Sequence, residues 1–358
     1  MAFEKLNDTM NRTNTTLNKH HVLATDLLPA HWITQLCGSL ELLFAVGTLV
    51  GNIMFILIVI FKKKLRTWMN LFLVNLSLTD IISALFISLP TMHSYYHRVW
   101  RLGSLYCLIH NLLHPIMIST SLWLTAFISI NRYIYIVHNN MYQRLTNGIT
   151  ITLAIIFAWS APIVSQYTVY KDTSLSSYDP TAFRCLIPGT KLFFISLVYT
   201  PSFLVILWYI LIIAHVLKSR CRVQAHAFTQ PQSSTVTVAT PQELRMLLVV
   251  FGIFCLVLLG YLPVAFIIFI AKLQDRRPPI EGFILSYPLI HIGGVMNPFL
   301  YGVNNRHFKE AYKDLLTGKL IRCSKLSTTN QVVPATHTGQ TSSTNQGHIS
   351  VSLTNSVV

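Results

Sequence analysis

Four sets of residues in this chain have the types and spacing to do chemistry, and all stand within or beside long apolar runs. Polar groups in such surroundings are costly, so each is a functional candidate. Asp80, in Asn75-Leu-Ser-Leu-Thr-Asp80, sits mid-run, and Asn52 occupies the equivalent depth of the run before it. Two compatible readings stand for them. One is a hydrogen-bonded pair that glues two helices. The other is a carboxylate that takes up a cation or proton and senses a change of shape. Arg132 closes a stretch with no Asp, Glu, Lys or Arg since Arg101. There it either snorkels to water at a helix C-terminus or pairs with Glu243, which begins a later run near the same leaflet. A pair closed in one state and broken in another needs a gap of only a few kcal/mol to act as a switch.

His114, His291, Tyr261, Tyr287 and Tyr199 fall in the opposite halves of their runs. They are either packing histidines and interfacial tyrosines or the lining of a pocket. Neutral imidazole and phenol would suit an uncharged or lipid-like molecule, while Arg184, Arg98 and Arg101 could meet a carboxylate. Cys107 and Cys185 lie at that same end, where an outward-facing position allows oxidation, and could pin a long loop to the third run. Cys37, Cys221 and Cys255 read as ordinary small residues. Catalysis finds no matching pattern: the chain has no His-Glu-x-x-His, Gly-x-Ser-x-Gly or Cys-x-x-Cys.

What must position these groups is a membrane bundle. Hydrophobic residues are 52% of the chain and charged residues only 11%, against roughly 25% charged in an ordinary globular domain. Mean hydropathy is +0.52. The net charge of +15 then reads as basic loops against an anionic leaflet, not as nucleic-acid binding. Apolar runs at about 36–61, 68–92, 104–137, 148–170, 191–217, 246–271 and 281–303 predict seven spanning helices. An odd number puts the termini on opposite sides. Lys62, Lys63, Lys64 and Arg66 lead a bias of basic residues that places the N-terminus outside. The acceptor sequons at Asn7, Asn11 and Asn14 agree.

The expected organisation starts with a glycosylated, uncleaved N-terminal segment at 1–34, followed by the bundle at 35–304. An amphipathic interfacial helix follows at 305–317, carried by Phe308, Ala311, Tyr312, Leu315 and Leu316. A polar cytoplasmic tail at 318–358 ends the chain. Cys323 reads either as a palmitoylation site or as an unmodified juxtamembrane cysteine. The final Ser356-Val357-Val358 is a PDZ-type ending or chance. Pro201, Pro263 and Pro298 remove backbone donors in spans five, six and seven, and kinks there suit a bundle whose one half pivots. A transporter would need inverted repeats or broken helices around a midplane site, and the two halves show no internal similarity.

In order along the chain, Gly51-Asn52, Leu76-Ser-Leu-Thr-Asp80, Cys107 with Cys185, Asn131-Arg132-Tyr133, Trp159, Pro201 with Tyr209, Pro263 and Asn297-Pro298-Phe-Leu-Tyr301 resemble the rhodopsin-like (class A) G-protein-coupled receptors. The resemblance covers Gly51 to about Leu316. It implies an all-α membrane protein, a seven-transmembrane helix bundle with a short amphipathic eighth helix, in the plasma membrane. It implies no catalysis and no cofactor. An unknown small-molecule or lipid ligand would bind from outside, span six would swing outward, and a heterotrimeric G protein would engage Arg132. Tyr209 and Tyr301 would rearrange, and receptor kinases and arrestin would be further partners.

The departures from that pattern carry expectations of their own. Asn131 stands where the family has an acid before the arginine, which removes a charge partner and would raise basal activity. Gly260-Tyr261-Leu262-Pro263 replaces Cys-Trp-x-Pro. Asp80 and Ser121 keep part of the family's sodium pocket, but Gly293 and Gly294 stand where side-chain ligands are common, which argues against sodium; no metal site is expected. His114 stands where amine receptors carry an aspartate, leaving an amine no counter-ion. His291 stands where opsins carry the retinal-linking lysine, which excludes a visual pigment. Lys64-Leu-Arg-Thr, Gly260-Tyr-Leu-Pro and Asn305-Arg-His-Phe-Lys-Glu-Ala-Tyr are similar to the moody and trapped-in-endoderm orphan group and to the medium-chain fatty acid receptor. Melatonin receptors share Asn131-Arg132-Tyr133, but they use an Asn in span four and a His in span five where this chain has Val169 and Leu197. A moody-like orphan is the expectation and a melatonin-like receptor the alternative.

Overall fold

The computed structural model describes residues 29–173, 177–179, 183–186, 199–229, 279–304 and 306–317, with Lys319 and isolated positions between 251 and 274. The first helix, α1 (His31–Phe61), buries a stripe of Ile33, Cys37, Glu41, Ala45, Thr48, Asn52, Phe55 and Ile58, spaced three or four residues apart. Its other faces show Trp32, Leu43, Val46 and Val50. A helix that is apolar all round belongs in lipid. It begins at His31, inside the segment expected to precede the bundle, because Ile33 and Thr34 are already buried.

After a 3-10 turn at Lys63–Leu65, α2 (Trp68–His97) starts on Thr67. The Thr67 hydroxyl accepts the Asn70 N–H at 3.3 Å, satisfying one of the donors a helix start leaves open. A π turn at Ala84–Ser88 interrupts α2. The next helix, α3 (Gly103–Val137), has 35 residues, or about 52 Å of rise at 1.5 Å each, ample for a tilted crossing. Beyond it come the short α4 (Asn139–Leu145), α5 (Gly148–Thr173) and α6 (Thr200–Thr229). The central α3 packs against α2, α5 and α6. Five helices among the described residues are long and apolar enough to cross a membrane.

The expectation of an all-helical chain needs one amendment. Strands β1 (Ser177–Asp179) and β2 (Arg184–Leu186) form an antiparallel hairpin with Tyr178 opposite Cys185. The Cys107–Cys185 disulfide ties β2 to the start of α3. Phe183 turns the chain at φ 53° and buries its ring 5.8 Å from that of Tyr95.

Span seven is broken into α7 (Ile280–Ser286), a 3-10 turn at Pro288–His291, and α8 (Ile292–Asn304). Proline explains the breaks. Pro90, Pro288 and Pro298 lack the N–H that would bond the carbonyl four residues back, those of Phe86, Ile284 and Gly294. In hydrocarbon each freed carbonyl must find another donor. A side chain from a different helix supplies one each time, and Ile284 O also accepts the Tyr287 backbone N–H at 3.2 Å. The Tyr106 hydroxyl donates to Phe86 O at 3.4 Å, the Cys37 thiol to Ile284 O at 3.6 Å, and Asn52 Nδ2 to Gly294 O at 2.9 Å. Cys37 is therefore more than a small filler. Pro201 is the second residue of α6 as described, and Pro263 is one of the isolated positions, so the bends expected at these two lie outside the described structure.

The chain then turns into α9 (Arg306–Leu316), which buries Phe308 and Ala311 against α1 and exposes its charges. Phe308 stacks on Phe55 with ring centroids 5.1 Å apart. Lys62 Nζ pairs with Asp314 Oδ2 at 2.7 Å. The Tyr312 hydroxyl donates to Pro298 O at 3.4 Å, and burial pushes its phenol pKa up.

Candidate functional site

At the disulfide end, three helices bring titratable side chains together. Glu41 lies on the buried stripe of α1 and is 0% exposed. The 3-10 turn after Pro288 points His291 at it: Nδ1 is 3.0 Å from Oε2 and 3.1 Å from Oε1. A carboxylate this deep is tolerated only when paired. Tyr287, one turn earlier and buried, shares a proton with His114 Nε2 of α3 at 3.0 Å. The rings of His114, Tyr287 and His291 lie 5.6 to 6.3 Å apart. His110, one turn above His114, bonds Thr91 of α2 at 3.2 Å and meets Trp100 edge-on at 5.3 Å.

A cavity of about 80 Å³ runs inward from His114 and His291 to Asp80, Ser121 and Asn297. At its inner end Asn297 Nδ2 donates to Asp80 Oδ2 at 2.8 Å, and the hydroxyls of Thr79 and Ser121 join α2 to α3 at 2.9 Å. The expected Asn52–Asp80 pair is not what forms. Asn52 turns both donors to carbonyls, Thr48 O and the freed Gly294 O, each at 2.9 Å, and Asp80 takes its bond from span seven instead. Gly294 sits against Thr48 and Asp80, where an added Cβ would lie 3.1 Å from the threonine side chain. A side chain there would require Thr48 to shift.

At the far end Asn131 is buried and accepts the Tyr142 hydroxyl from α4 at 3.4 Å. A phenol thus faces the residue that replaces the acid. Tyr133 packs between His138 and Trp208 of α6, with rings 5.6 and 4.8 Å away. Tyr209 is buried and tilts against Phe251 at 5.0 Å. Trp159 of α5 donates its indole N–H to Asn75 Oδ1 of α2 at 3.2 Å.

The structure brings His114, His291 and Tyr287 together, and Tyr199 is 60% exposed. Glu243, Tyr261, Asn7, Asn11, Asn14, Leu197 and Cys323 lie outside the described residues, as do the side chains of Val169, Arg184 and Tyr301. Sequence reasoning missed Glu41 altogether. Its signal was an acid inside the first apolar run, four residues after Cys37 and so on the same helix face.

Residues 51–301 match the family model described as 7 transmembrane receptor (rhodopsin family). The melatonin receptor type 1A of Phodopus sungorus is 27% identical over 299 residues, covering 80% of this chain and 81% of that protein. The human melatonin receptor type 1B is 28% identical over 294 residues, covering 80% and 79%. The crystal structure of squid rhodopsin superposes with a TM-score of 0.68 at 19% identity, over 86% of this chain and 94% of that one. These relatives favour the second of the two subfamily expectations, and nothing in them supports the moody-like group.

Proposed function

The chain belongs to the rhodopsin family of seven-transmembrane receptors, and from that premise we propose how this G-protein-coupled receptor works. It lies in the plasma membrane with the disulfide end outside and its tail in the cytoplasm. An uncharged small molecule bearing a hydrogen-bond acceptor enters from the disulfide end and meets His114, His291 and Tyr287. The observation that carries this reading is the Glu41–His291 pair. It occupies the buried carboxylate at the disulfide end, so a cationic ligand there would have to displace His291, while imidazole and phenol are groups that can hydrogen-bond an acceptor.

Occupancy is relayed along the cavity to the Asp80–Asn297 bond and from there to the Arg132 end. Outward movement of span six then separates Arg132 from Glu243 and admits a heterotrimeric G protein, with receptor kinases and arrestin acting on the tail. The test is GDP–GTP exchange on a panel of chimaeric G proteins, with melatonin as the first probe because the relatives are melatonin receptors. Wild type is expected to catalyse exchange and Arg132→Ala to lose at least tenfold. Unchanged exchange in a variant that still reaches the cell surface overturns the proposal. Val169 and Leu197, at the positions where melatonin receptors use Asn and His, favour a second reading: a moody-like orphan with another uncharged ligand. Exchange that persists without any response to melatonin selects it.

A further inference from the structure

We propose that His93 and His97 form a binding site for a divalent ion that prefers imidazole, Zn2+ above all, on the outer turn of α2. The two residues are four apart in a helix, the spacing that stacks side chains on one face and serves paired histidine ligands elsewhere. Their ring centroids are 4.3 Å apart and tilted by 52°. Two nitrogens bound to one tetrahedral zinc at 2.0–2.1 Å each sit about 3.3 Å from one another, which rings at this separation can reach with small rotations. His93 Nδ1 is out of solvent and has no hydrogen-bond partner, so in the tautomer that leaves it unprotonated it is available as a ligand. His97 is exposed and closes the helix before Arg98 takes the left-handed conformation at φ 55°.

The surroundings narrow the choice of ion. Among the described residues no group of three or more His, Cys, Asp or Glu could hold a metal, so water completes the shell. Arg101 lies within Coulombic reach of His93 and opposes any dication. Arg98 is held by the Pro29 carbonyl at 2.7 Å. Ca2+ and Mg2+ need several oxygen ligands and gain nothing from two imidazoles, whereas zinc binds nitrogen well enough to tolerate the arginine.

The turn so bridged has a structural job. It carries Ser94, whose hydroxyl lies 3.4 Å from that of Tyr178 in β1, and Tyr95, which packs on Phe183. A metal across His93 and His97 would stiffen the turn on which the hairpin rests. Only the compartment in which the ion is met rests on the orientation proposed above; the binding itself does not.

The experiment uses the full-length receptor, purified in detergent and stripped with EDTA. It is titrated with ZnCl2 by calorimetry, alongside His97→Gln, His93→Gln and, as a control at a separate exposed histidine, His31→Gln. The expected result is one zinc equivalent bound by wild type and by His31→Gln. In either ligand variant the affinity should fall by at least about tenfold, since loss of even outer-shell groups costs 10–100-fold. CaCl2 and MgCl2 should not compete. An isotherm unchanged in His97→Gln, or zinc displaced equally well by Ca2+, overturns the site. His97 is exposed, so its variant folds even if His93→Gln does not, and no signalling assay enters the result.

Discussion

The Glu41–His291 pair makes the sharpest stability prediction. Glu41 is 0% exposed and its carboxylate touches His291 Nδ1 at 3.0 Å. Replacing His291 with Phe keeps the volume roughly constant but strands a buried carboxylate. Removing one partner of a buried pair costs about 3–5 kcal/mol. Glu41→Gln alone should cost only about 1 kcal/mol, because the amide keeps a hydrogen-bond partner for the imidazole. In the His291→Phe background the sign reverses. Glu41→Gln now removes the stranded charge and recovers about 2 kcal/mol or more, so the double variant is more stable than His291→Phe. At about 2–4 °C per kcal/mol, His291→Phe should melt roughly 6–20 °C below wild type. Cys37, buried one turn before Glu41 on the same face, provides the readout: a thiol-reactive fluorophore labels it only as the helices part. Additive losses, with the double variant melting below both singles, would refute the view that Glu41 depends on His291 as its buried partner.

Other outcomes follow from particular contacts. Asn52→Leu strands the Gly294 carbonyl that Pro298 frees, costing about 1–3 kcal/mol; adding Pro298→Ala restores a backbone donor and should recover part of the loss, read by the same thermal assay. Gly51→Ala puts a Cβ 2.7 Å from the rigid Pro298 ring, so α1 must move away from α8 at about 1–3 kcal/mol, whereas Gly103→Ser meets no neighbour and suffers only from its φ of 80°. The Lys62 hydrogen bond holds the Asp314 carboxyl below its usual range. A carboxyl whose folded pKa is depressed contributes stability above its unfolded pKa and loses it as pH falls through the folded value. Protection of the α9 amides relative to their intrinsic exchange rate should therefore fall in acid below the ordinary carboxylate range, and Lys62→Met should abolish that dependence. Asn131→Asp, which restores an acid beside Arg132, should lower agonist-independent nucleotide exchange several-fold; no change would detach Asn131 from basal activity.

Much of the architecture was readable from residue order alone, and the reason is the solvent. Lipid demands long apolar runs and punishes every polar atom within them, so the spans, Asp80 and Asn52 announce themselves locally. The ordered motifs from Gly51 to Tyr301 did the same for the family. Short strings such as Lys64-Leu-Arg-Thr did not decide the subfamily: the similarity spread over most of the chain is to melatonin receptors, the alternative expectation. Nor did the prolines place every break: Pro298, expected to kink span seven, lies inside the continuous α8, and the breaks fall at Pro90 and Pro288.

Tertiary structure alone decided who meets whom. Proline positions say which carbonyls are freed, but only packing chooses Tyr106, Cys37 and Asn52 as the donors. Asp80 could have bonded Asn52, yet the approach of span seven at Gly294 gives it Asn297 and sends Asn52 to the backbone. Glu41 reads as an oddity in an apolar run until a 3-10 turn, 250 residues later, brings His291 against it. Such pairings depend on the rotation and depth of whole helices relative to one another, set by the summed fit of many side chains. No local stretch of sequence contains that information.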